Sequence, residues 1–244
     1  MSNIQKIVLI TGAARRIGAQ IAKTFHDEGY GVVIHYHSSS KEAEDLAALL
    51  NIQRDNSAWT VKADLQSVEQ IQRMLDEAVA KAGRLDVLIN NASTFYETPV
   101  ASANEGEWND LIGSNLKAPF FVSQAGFNAL KEVQGCIVNI VDIYAKRALT
   151  NYPIYSTAKA GLYALTKSLA KELAPDVRVN AVSPGVILWP ENQSIEESEA
   201  IVNRIPLQRQ GSPSDIAETA LFLAKNANYI TGQVIAVDGG KSLL

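Results

Sequence analysis

The stretch Leu9-Ile10-Thr11-Gly12-Ala13-Ala14-Arg15-Arg16-Ile17-Gly18 sets the architecture of this 244-residue chain. It joins a β-rich run, Lys6 to Ile10, to a segment of helical periodicity. Gly12 permits a tight turn, Gly18 lets the helix pack closely on the strand, and the first N–H groups of that helix can bind a pyrophosphate. The stretch therefore predicts a strand-turn-helix unit that binds a dinucleotide, with Arg16 in place of the usual middle glycine.

Short β-rich runs and longer helical segments alternate along the whole chain. The β-rich runs are Lys6 to Ile10, Gly31 to Tyr36, Ala58 to Lys62, Val87 to Asn90, Cys136 to Val141, Arg178 to Val182 and Val234 to Val237. The helical segments include Ile17 to Glu28, Lys41 to Asn51, Ser67 to Lys81, Asn115 to Lys131 and Ile154 to Ala174, with a last helix capped by Ser212, Pro213 and Asp215. Such alternation indicates parallel β-α-β units, and seven runs favour a doubly wound sheet over a barrel. We predict an α/β chain: one Rossmann-type domain over residues 1–244, with a seven-stranded parallel sheet and helices on both faces.

The composition argues against several classes of binding partner. The chain is 47% hydrophobic and 20% charged, which is enough apolar material for a large core. Its net charge of −4 argues against a nucleic-acid surface. The single cysteine, Cys136, excludes an intrachain disulfide, and no apolar run resembles a signal peptide or a membrane span. We expect a cytoplasmic protein with no nucleic-acid, membrane or metal partner.

The end of the second predicted strand indicates which dinucleotide is used. It reads His35-Tyr36-His37-Ser38-Ser39-Ser40, and no acidic residue occurs before Glu42. A carboxylate at this place would bind the ribose of NAD and repel a 2′-phosphate. Together with Arg16, the hydroxyls and imidazoles favour a phosphate dianion, so we predict NADPH. The alternative is an ordinary polar turn.

Tyr155 and Lys159 lie four residues apart in a helical segment and therefore share one face. A phenol beside an ammonium forms a proton donor whose acidity depends on its neighbours. Asp142, at the end of an apolar run, would raise the pKa of Tyr155 while Lys159 would lower it, and the sequence does not decide which effect is larger. The alternative is a solvated helix face.

These motifs, taken together, resemble the short-chain dehydrogenase/reductase family over essentially the whole chain. The matches fall in family order: the Gly12 loop, Ala63-Asp64-Leu65, Asn90-Asn91-Ala92-Ser93, Asn115, Tyr155 to Lys159, Pro184-Gly185, Thr231-Gly232 and Val237-Asp238-Gly239-Gly240. Three departures from the broad family, Arg16, Ser93 in place of a common glycine and Asp142 in place of the usual serine, resemble the pteridine reductases, as do His35-Tyr36-His37 and Ser93-Thr94-Phe95-Tyr96.

The resemblance implies roles for particular residues. The implied catalytic residues are Asn115, Asp142, Tyr155 and Lys159, with Asn115 holding a water and bracing the backbone beside Lys159. The implied cofactor-binding residues are Gly12, Arg15, Arg16, Ile17, Gly18, His35, Tyr36, His37, Ser38, Ser39, Asp64, Leu65, Asn91, Ala92, Ser93, Tyr155, Lys159, Pro184 and Gly185. The implied substrate-binding residues are Arg16, Ser93, Phe95, Asp142 and Tyr155, with Phe95 stacking on the substrate ring.

The function implied by this resemblance is NADPH-dependent reduction of a pterin such as dihydrobiopterin, dihydromonapterin or dihydrofolate. A lid over residues 186–204 and a homotetramer packed through the Asn115 and Ile154 helices are also implied. Two departures bear on detail: Ser38 stands where some relatives have an arginine, and the chain ends Lys241-Ser242-Leu243-Leu244 without a terminal arginine. The alternatives are a reductase of a ketone, such as a 3-oxoacyl thioester or a quinone, and an NADPH-binding sensor without turnover.

Overall fold

A computed structural model describes residues 5–189 and 194–243, and its centre is one parallel sheet of seven strands. The strands are β1 (Ile7–Ile10), β2 (Gly31–Tyr36), β3 (Ala58–Lys62), β4 (Val87–Asn90), β5 (Cys136–Ile140), β6 (Arg178–Pro184) and β7 (Val234–Val237). Their order is β3-β2-β1-β4-β5-β6-β7, and each adjacent pair is parallel. The predicted doubly wound α/β fold is confirmed.

Eight α-helices connect the strands within the described residues. They are α1 (Arg16–Asp27), α2 (Ser40–Gln53), α3 (Val68–Ala82), α4 (Glu105–Ile112), α5 (Ala118–Glu132), α6 (Pro153–Glu172), α7 (Ile195–Val202) and α8 (Pro213–Lys225). A π-helical turn (Gly113–Lys117) joins α4 to α5, and short 3₁₀ turns cover Ile143–Ala145 and Lys241–Leu243. The predicted bounds agree closely, except that α5 is preceded by the π turn and that α4 and α7 were not foreseen.

Two helices begin with the same reciprocal hydrogen bonds between the N-cap residue and the third residue of the helix. At α8, Ser212 accepts from the Asp215 N–H while Asp215 accepts from the Ser212 N–H, which confirms the predicted start. At α4, Asn104 and Glu107 make the same exchange. The Asn-x-x-Glu spacing was therefore a sequence signal for α4 that the periodicity did not provide.

Strand side chains alternate between two hydrophobic layers. Val8 and Ile10 pack with apolar residues of α1, α2 and α8, whereas Ile7 and Leu9 pack with those of α3, α5 and α6. Helices cover both faces, as predicted, because strands buried on both sides leave no face for water. Cys136 is buried, and no helix in residues 5–189 and 194–243 has both the length and the apolar character to cross a bilayer.

The strand order reverses between β1 and β4, and this junction is closed by hydrogen bonds. Thr11 Oγ1 accepts from the N–H groups of Asn91 (2.9 Å) and Ala92 (3.0 Å), and Asn91 Nδ2 donates to the Thr11 carbonyl (2.9 Å). The chain leaves β1 on one side of the sheet and β4 on the other. A crevice therefore opens at the carboxyl ends of these strands, where open α/β sheets bind ligands.

Substitution of Gly18 by alanine should destabilise the protein. A Cβ at this position would lie 2.4 Å from the Gly12 carbonyl oxygen and 2.9 Å from the Ala13 Cα, and backbone atoms cannot move aside easily. We expect G18A to lose about 1 to 3 kcal/mol of unfolding free energy, measured by urea denaturation.

The matched control is Gly126→Ala on α5, where the new Cβ would meet Leu75 Cδ1 at 3.5 Å, an ordinary contact. Because alanine favours helix over glycine, G126A should be neutral or stabilising. Equal stability of G18A and the parent would contradict the close approach of α1 to the β1 loop.

Candidate active site

A cavity of about 930 Å³ occupies the crevice at the carboxyl edge of the sheet. Every predicted cofactor and substrate residue lines it, whereas Asn115 does not. The lining includes Gly12 and Arg15 to Gly18 after β1, His35 to Ser39 from β2 onward, Asp64, Leu65, Asn91, Ala92, Ser93 and Phe95 after β3 and β4, Asp142 after β5, Tyr155 and Lys159 on α6, and Pro184 and Gly185 at the end of β6. Within the described ranges, no group of three His, Cys, Asp or Glu side chains is placed to hold a metal ion.

The loop after β1 packs closely on the end of β4 and leads into the open N-terminus of α1. Gly12 has φ +62°, and a Cβ there would lie 3.0 Å from the Ala92 Cα. No side chain caps the first turn of α1, whose N-cap residue is Arg15. The N-terminus of a helix attracts anions through its N–H groups and its dipole. These features fit the pyrophosphate of a dinucleotide.

Two arginines in this loop have different environments. Arg15 Nη2 lies 2.8 Å from Glu42 Oε1, so its charge is already paired. Arg16 has φ +54°, a left-handed conformation that costs a non-glycine residue about 1 to 3 kcal/mol. Within residues 5–189 and 194–243, no carboxylate lies within ion-pair distance of Arg16. Arg16 is therefore the available cation at this end of the cavity.

His35 differs from the sequence-based expectation. Its Nδ1 accepts a hydrogen bond from the Gly12 N–H (3.0 Å), which leaves Nε2–H to donate to the Ala63 carbonyl (3.1 Å). Burial lowers the pKa of His35 to about 4, so the ring is neutral. Because both ring nitrogens are bonded inside the protein, His35 braces the Gly12 loop, and neither nitrogen is free for the expected contact to a phosphate.

The acid-base residues form a compact group. The Tyr155 hydroxyl donates to Asp142 Oδ2 (2.8 Å), and Asp142 Oδ1 accepts from the Tyr144 N–H (2.9 Å). Lys159 Nζ donates to the Ile140 carbonyl (3.0 Å) and lies 5.7 Å from the centre of the Tyr155 ring. Tyr155 and Lys159 do share one face of α6, as the spacing predicted.

Burial dominates the electrostatics of this group. It raises the pKa of Tyr155 well above 10, and the Asp142 carboxylate raises it further. Burial also raises the pKa of Asp142 and lowers that of Lys159 to about 8, although the Asp142 charge opposes the latter shift. The sequence left open whether Asp142 or Lys159 has the larger effect on the pKa of Tyr155. Burial and Asp142 together raise this pKa, so the phenol keeps its proton.

Asn115 lies behind the cavity wall, in the π-helical turn. Its Oδ1 accepts from Ser93 Oγ (2.7 Å), and its Nδ2 donates to the carbonyls of Thr94 (3.0 Å) and Leu111 (3.0 Å). These bonds brace the loop after β4, whereas the described hydrogen bond of Lys159 goes to Ile140. A π turn inserts an extra residue into a helix and often occurs at functional sites.

Three aromatic rings form one wall of the cavity. Phe95 stacks on Tyr152, with ring centres 4.5 Å apart and an interplanar angle of 10°. It meets Tyr155 edge to face at 4.7 Å and remains 49% exposed. Because Tyr152 covers one face of Phe95, at most one face is left for a planar ligand.

Several cavity residues were missed at the sequence level. Tyr144, Tyr152 and Lys241 also line the cavity. Each lies in a loop or a short turn, where the sequence has no hydrophobic periodicity that could predict its position. Of the predicted lid, residues 186–189 and Ile201 line the cavity and α7 follows at Ile195–Val202. Residues 190–193 of that segment lie outside the described residues, and the movement of the lid stays a prediction.

Known proteins match this chain over nearly its full length. A family model described as enoyl-(acyl carrier protein) reductase matches residues 12–242. Pteridine reductase 1 of Leishmania tarentolae is 38% identical over 278 residues, covering 97% of the chain and 96% of the relative. The 3-oxoacyl-[acyl-carrier-protein] reductases FabG of Staphylococcus aureus (strain Mu50 / ATCC 700699) and Thermotoga maritima are 36% and 37% identical, each covering 96% of the chain and 97% of the relative.

The glycine loop, the parallel sheet and the Tyr155–Lys159 pair all occur in a chain of which these relatives match 96% or 97%. The pteridine reductase and the two 3-oxoacyl reductases have similar identities to the chain. The identities therefore show the family, and the substrate has to be inferred from the chemistry of the site. The chain belongs to the short-chain dehydrogenase/reductase family and is an oxidoreductase of that family.

Proposed function

We propose that this protein reduces a dihydropterin to its tetrahydro form with NADPH. The observation that carries the proposal is the half-buried carboxylate of Asp142, which is hydrogen-bonded to Tyr155 at 2.8 Å and lines the active-site cavity. A carbonyl substrate needs a hydroxyl donor at this place, and the usual serine of the family would supply it. A carboxylate instead accepts N–H groups, which the amino group and ring nitrogens of a pterin offer.

The cofactor would lie along the crevice from the Gly12 loop to Lys159. Arg16, Ser38 and Ser39 would hold the 2′-phosphate, and the first turn of α1 would hold the pyrophosphate. NADPH supplies a hydride when it is bound. Asn91 and Ser93, after β4, would form part of the wall beside it, and Asp64 would contact the adenine.

The substrate ring would lie between the cofactor and the aromatic wall. Phe95 offers one free face, and an aromatic contact is worth about 0.5 to 1.5 kcal/mol beyond the area that it buries. Asp142 accepts one bond from Tyr155 and one from the Tyr144 backbone, and a carboxylate has about four acceptor sites. The remaining sites can bind the substrate edge, which fixes the orientation of the ring.

Proton delivery falls to Tyr155 or to an ordered water beside it. The phenol keeps its proton because burial and Asp142 raise its pKa well above 10. Lys159, whose pKa is about 8, is mostly charged at neutral pH and stabilises the phenolate after the proton leaves. The Tyr155–Asp142 pair thus holds a proton at the cavity surface.

A 3-oxoacyl thioester is the second candidate substrate, since the FabG relatives match nearly as well as the pteridine reductase. A panel of dihydrobiopterin, dihydromonapterin, dihydrofolate and a 3-oxoacyl thioester, each with NADPH, separates the candidates. Turnover of a pterin supports the proposal. Turnover of the thioester alone would replace it, and tight NADPH binding without turnover would indicate a sensor.

We also propose that the chain is a single domain and that four copies associate through α5 and α6. Phe120 on α5 is 38% exposed in the single chain, and α6 presents the small residues Ala160 and Ala164 to solvent. Small residues allow close approach of helices, and exposed aromatics favour burial at an interface. Sedimentation measures the number of copies.

Removal of the Asp142 carboxylate should abolish pterin reduction. We expect D142S to lower kcat/KM for the dihydropterin by at least about 100-fold, because acid-base groups contribute on the order of 10² to 10⁴ in rate. Asp110→Asn is the control, since Asp110 also lines the cavity and accepts from a tyrosine, Tyr96, at 3.0 Å. Unchanged pterin turnover by D142S would remove Asp142 from the mechanism.

NADPH should be preferred over NADH, and Arg16 should carry much of that preference. We expect R16Q to lower kcat/KM for NADPH about tenfold and to leave NADH nearly unaffected, as loss of a charge-assisted hydrogen bond implies. R15Q should have a smaller effect, because Arg15 is paired with Glu42. Equal use of NADH and NADPH by the parent protein would defeat the cofactor assignment.

Lys159 should give the stability of the protein a distinctive pH dependence. Its pKa is about 8 in the folded protein and about 10.4 in an unfolded chain, so between these values the unfolded state binds more protons and stability rises with pH. Below pH 8 the full cost of burying the charge is present. We expect the stability advantage of K159M over the parent to fall, by on the order of 3 kcal/mol, from pH 7.5 to pH 10.5 in urea denaturation. An advantage that does not change with pH would contradict the buried cation.

A further inference from the structure

A second cavity, of about 590 Å³, lies beside the active-site cavity and shares two side chains with it. Tyr144 and Lys241 line both cavities, and Lys241 Nζ lies 6.0 Å from the centre of the Tyr144 ring. Tyr144 is also tied to the acid-base group, since its N–H donates to Asp142. Tyr144 and Lys241 thus form the boundary between the two cavities, and a ligand whose ring binds at Asp142 would have to pass them to reach the second cavity.

The second cavity is positively charged. Arg147, Arg204 and Lys241 line it, and its described lining contains no Asp or Glu. Over residues 5–189 and 194–243, no carboxylate lies within ion-pair distance of any of these three cations. Burial lowers the pKa of Lys241, the Asp142 and Asp238 charges oppose this, and Arg147 lowers it further. Three cations around one space, none of them in a described ion pair, favour an anionic ligand.

The shape and the remaining lining of this cavity suit the tail of a substrate. Ile143, Ile205 and Pro206 provide apolar surface between the charged groups. Guanidinium groups bind carboxylate or phosphate oxygens through paired, directional hydrogen bonds. The arginines come from separate segments, one after β5 and one after α7, so the fold itself brings the charges together.

We propose that the second cavity binds an anionic tail of the substrate, so that the substrate is a reducible heterocycle bearing carboxylate or phosphate groups. The inference rests on the proposed function and deepens it: among the candidate pterins, dihydrofolate carries two carboxylates, whereas dihydrobiopterin has a neutral side chain. Arg147 and Arg204 bind the tail, whereas Asp142 and Tyr155 contact the reacting ring.

Steady-state kinetics with NADPH test this assignment. We expect R147Q and R204Q each to raise KM for dihydrofolate about two- to fivefold, the range that an exposed charge pair allows, with unchanged kcat and unchanged KM for dihydrobiopterin. Lys146→Gln is the matched control, because it removes a neighbouring charge whose Nζ lies over the Tyr163 ring at 4.9 Å and outside the cavity. Equal changes for both pterins, or the same effect from K146Q, would overturn the proposal.

A binding test separates this inference from the proposed reaction. The NADPH-saturated protein is heated with p-aminobenzoyl-glutamate or with pyrophosphate. A rise in Tm with the dicarboxylate that is lost in the R147Q/R204Q double variant supports a carboxylate tail, and a rise with pyrophosphate alone supports a phosphate tail. No rise with either anion overturns the anionic subsite. If the parent protein reduces no pterin, the proposed function fails while this comparison still decides the subsite.

Discussion

The close approach of backbone at the junction of β1 and β4 is the constraint on which the site depends. The first turn of α1 packs so tightly on the loop after β1 that Gly18 has no space for a Cβ beside the Gly12 carbonyl. Thr11 and Asn91 hold the ends of the two strands together at this place. Because the neighbouring crossovers run to opposite faces of the sheet, the same junction opens the crevice and aims a helix N-terminus into it.

Around that crevice, little solvent reaches the ionisable side chains, so the pKa of each one depends strongly on its neighbours. Asp142, Tyr155 and Lys159 are poorly solvated, and burial disfavours the charged form of all three. Burial and the hydrogen-bonded Asp142 carboxylate keep the proton on the phenol of Tyr155, while Lys159 faces the ring from the next turn of α6. A change at one of the three therefore alters the proton affinity of the other two.

The choice of substrate depends on a few side chains in the site, and the overall sequence identity to a relative does not report on them. The pteridine reductase and the 3-oxoacyl reductases are nearly equally similar to the chain, at 38%, 36% and 37% identity. The side chains that would contact the substrate are Asp142, Phe95 and the cations of the second cavity. These groups match a flat, nitrogen-rich ring with a charged tail, which is why we favour a pterin over a simple ketone.

The sequence by itself determined the doubly wound parallel sheet and the approximate strand bounds, because these follow from local periodicity. It also predicted a dinucleotide-binding loop from the glycines after the first strand. It further predicted Asp142, Tyr155 and Lys159 as a group, and the structure brings these three side chains together. The start of α4 was readable from Asn104 and Glu107 but was missed. Only the tertiary structure decided that His35 braces the Gly12 loop, that Asn115 supports the segment after β4, and that Arg147, Arg204 and Lys241 meet around a second cavity. These placements depend on burial and on contacts between segments far apart in the chain, so a local sequence pattern cannot predict them.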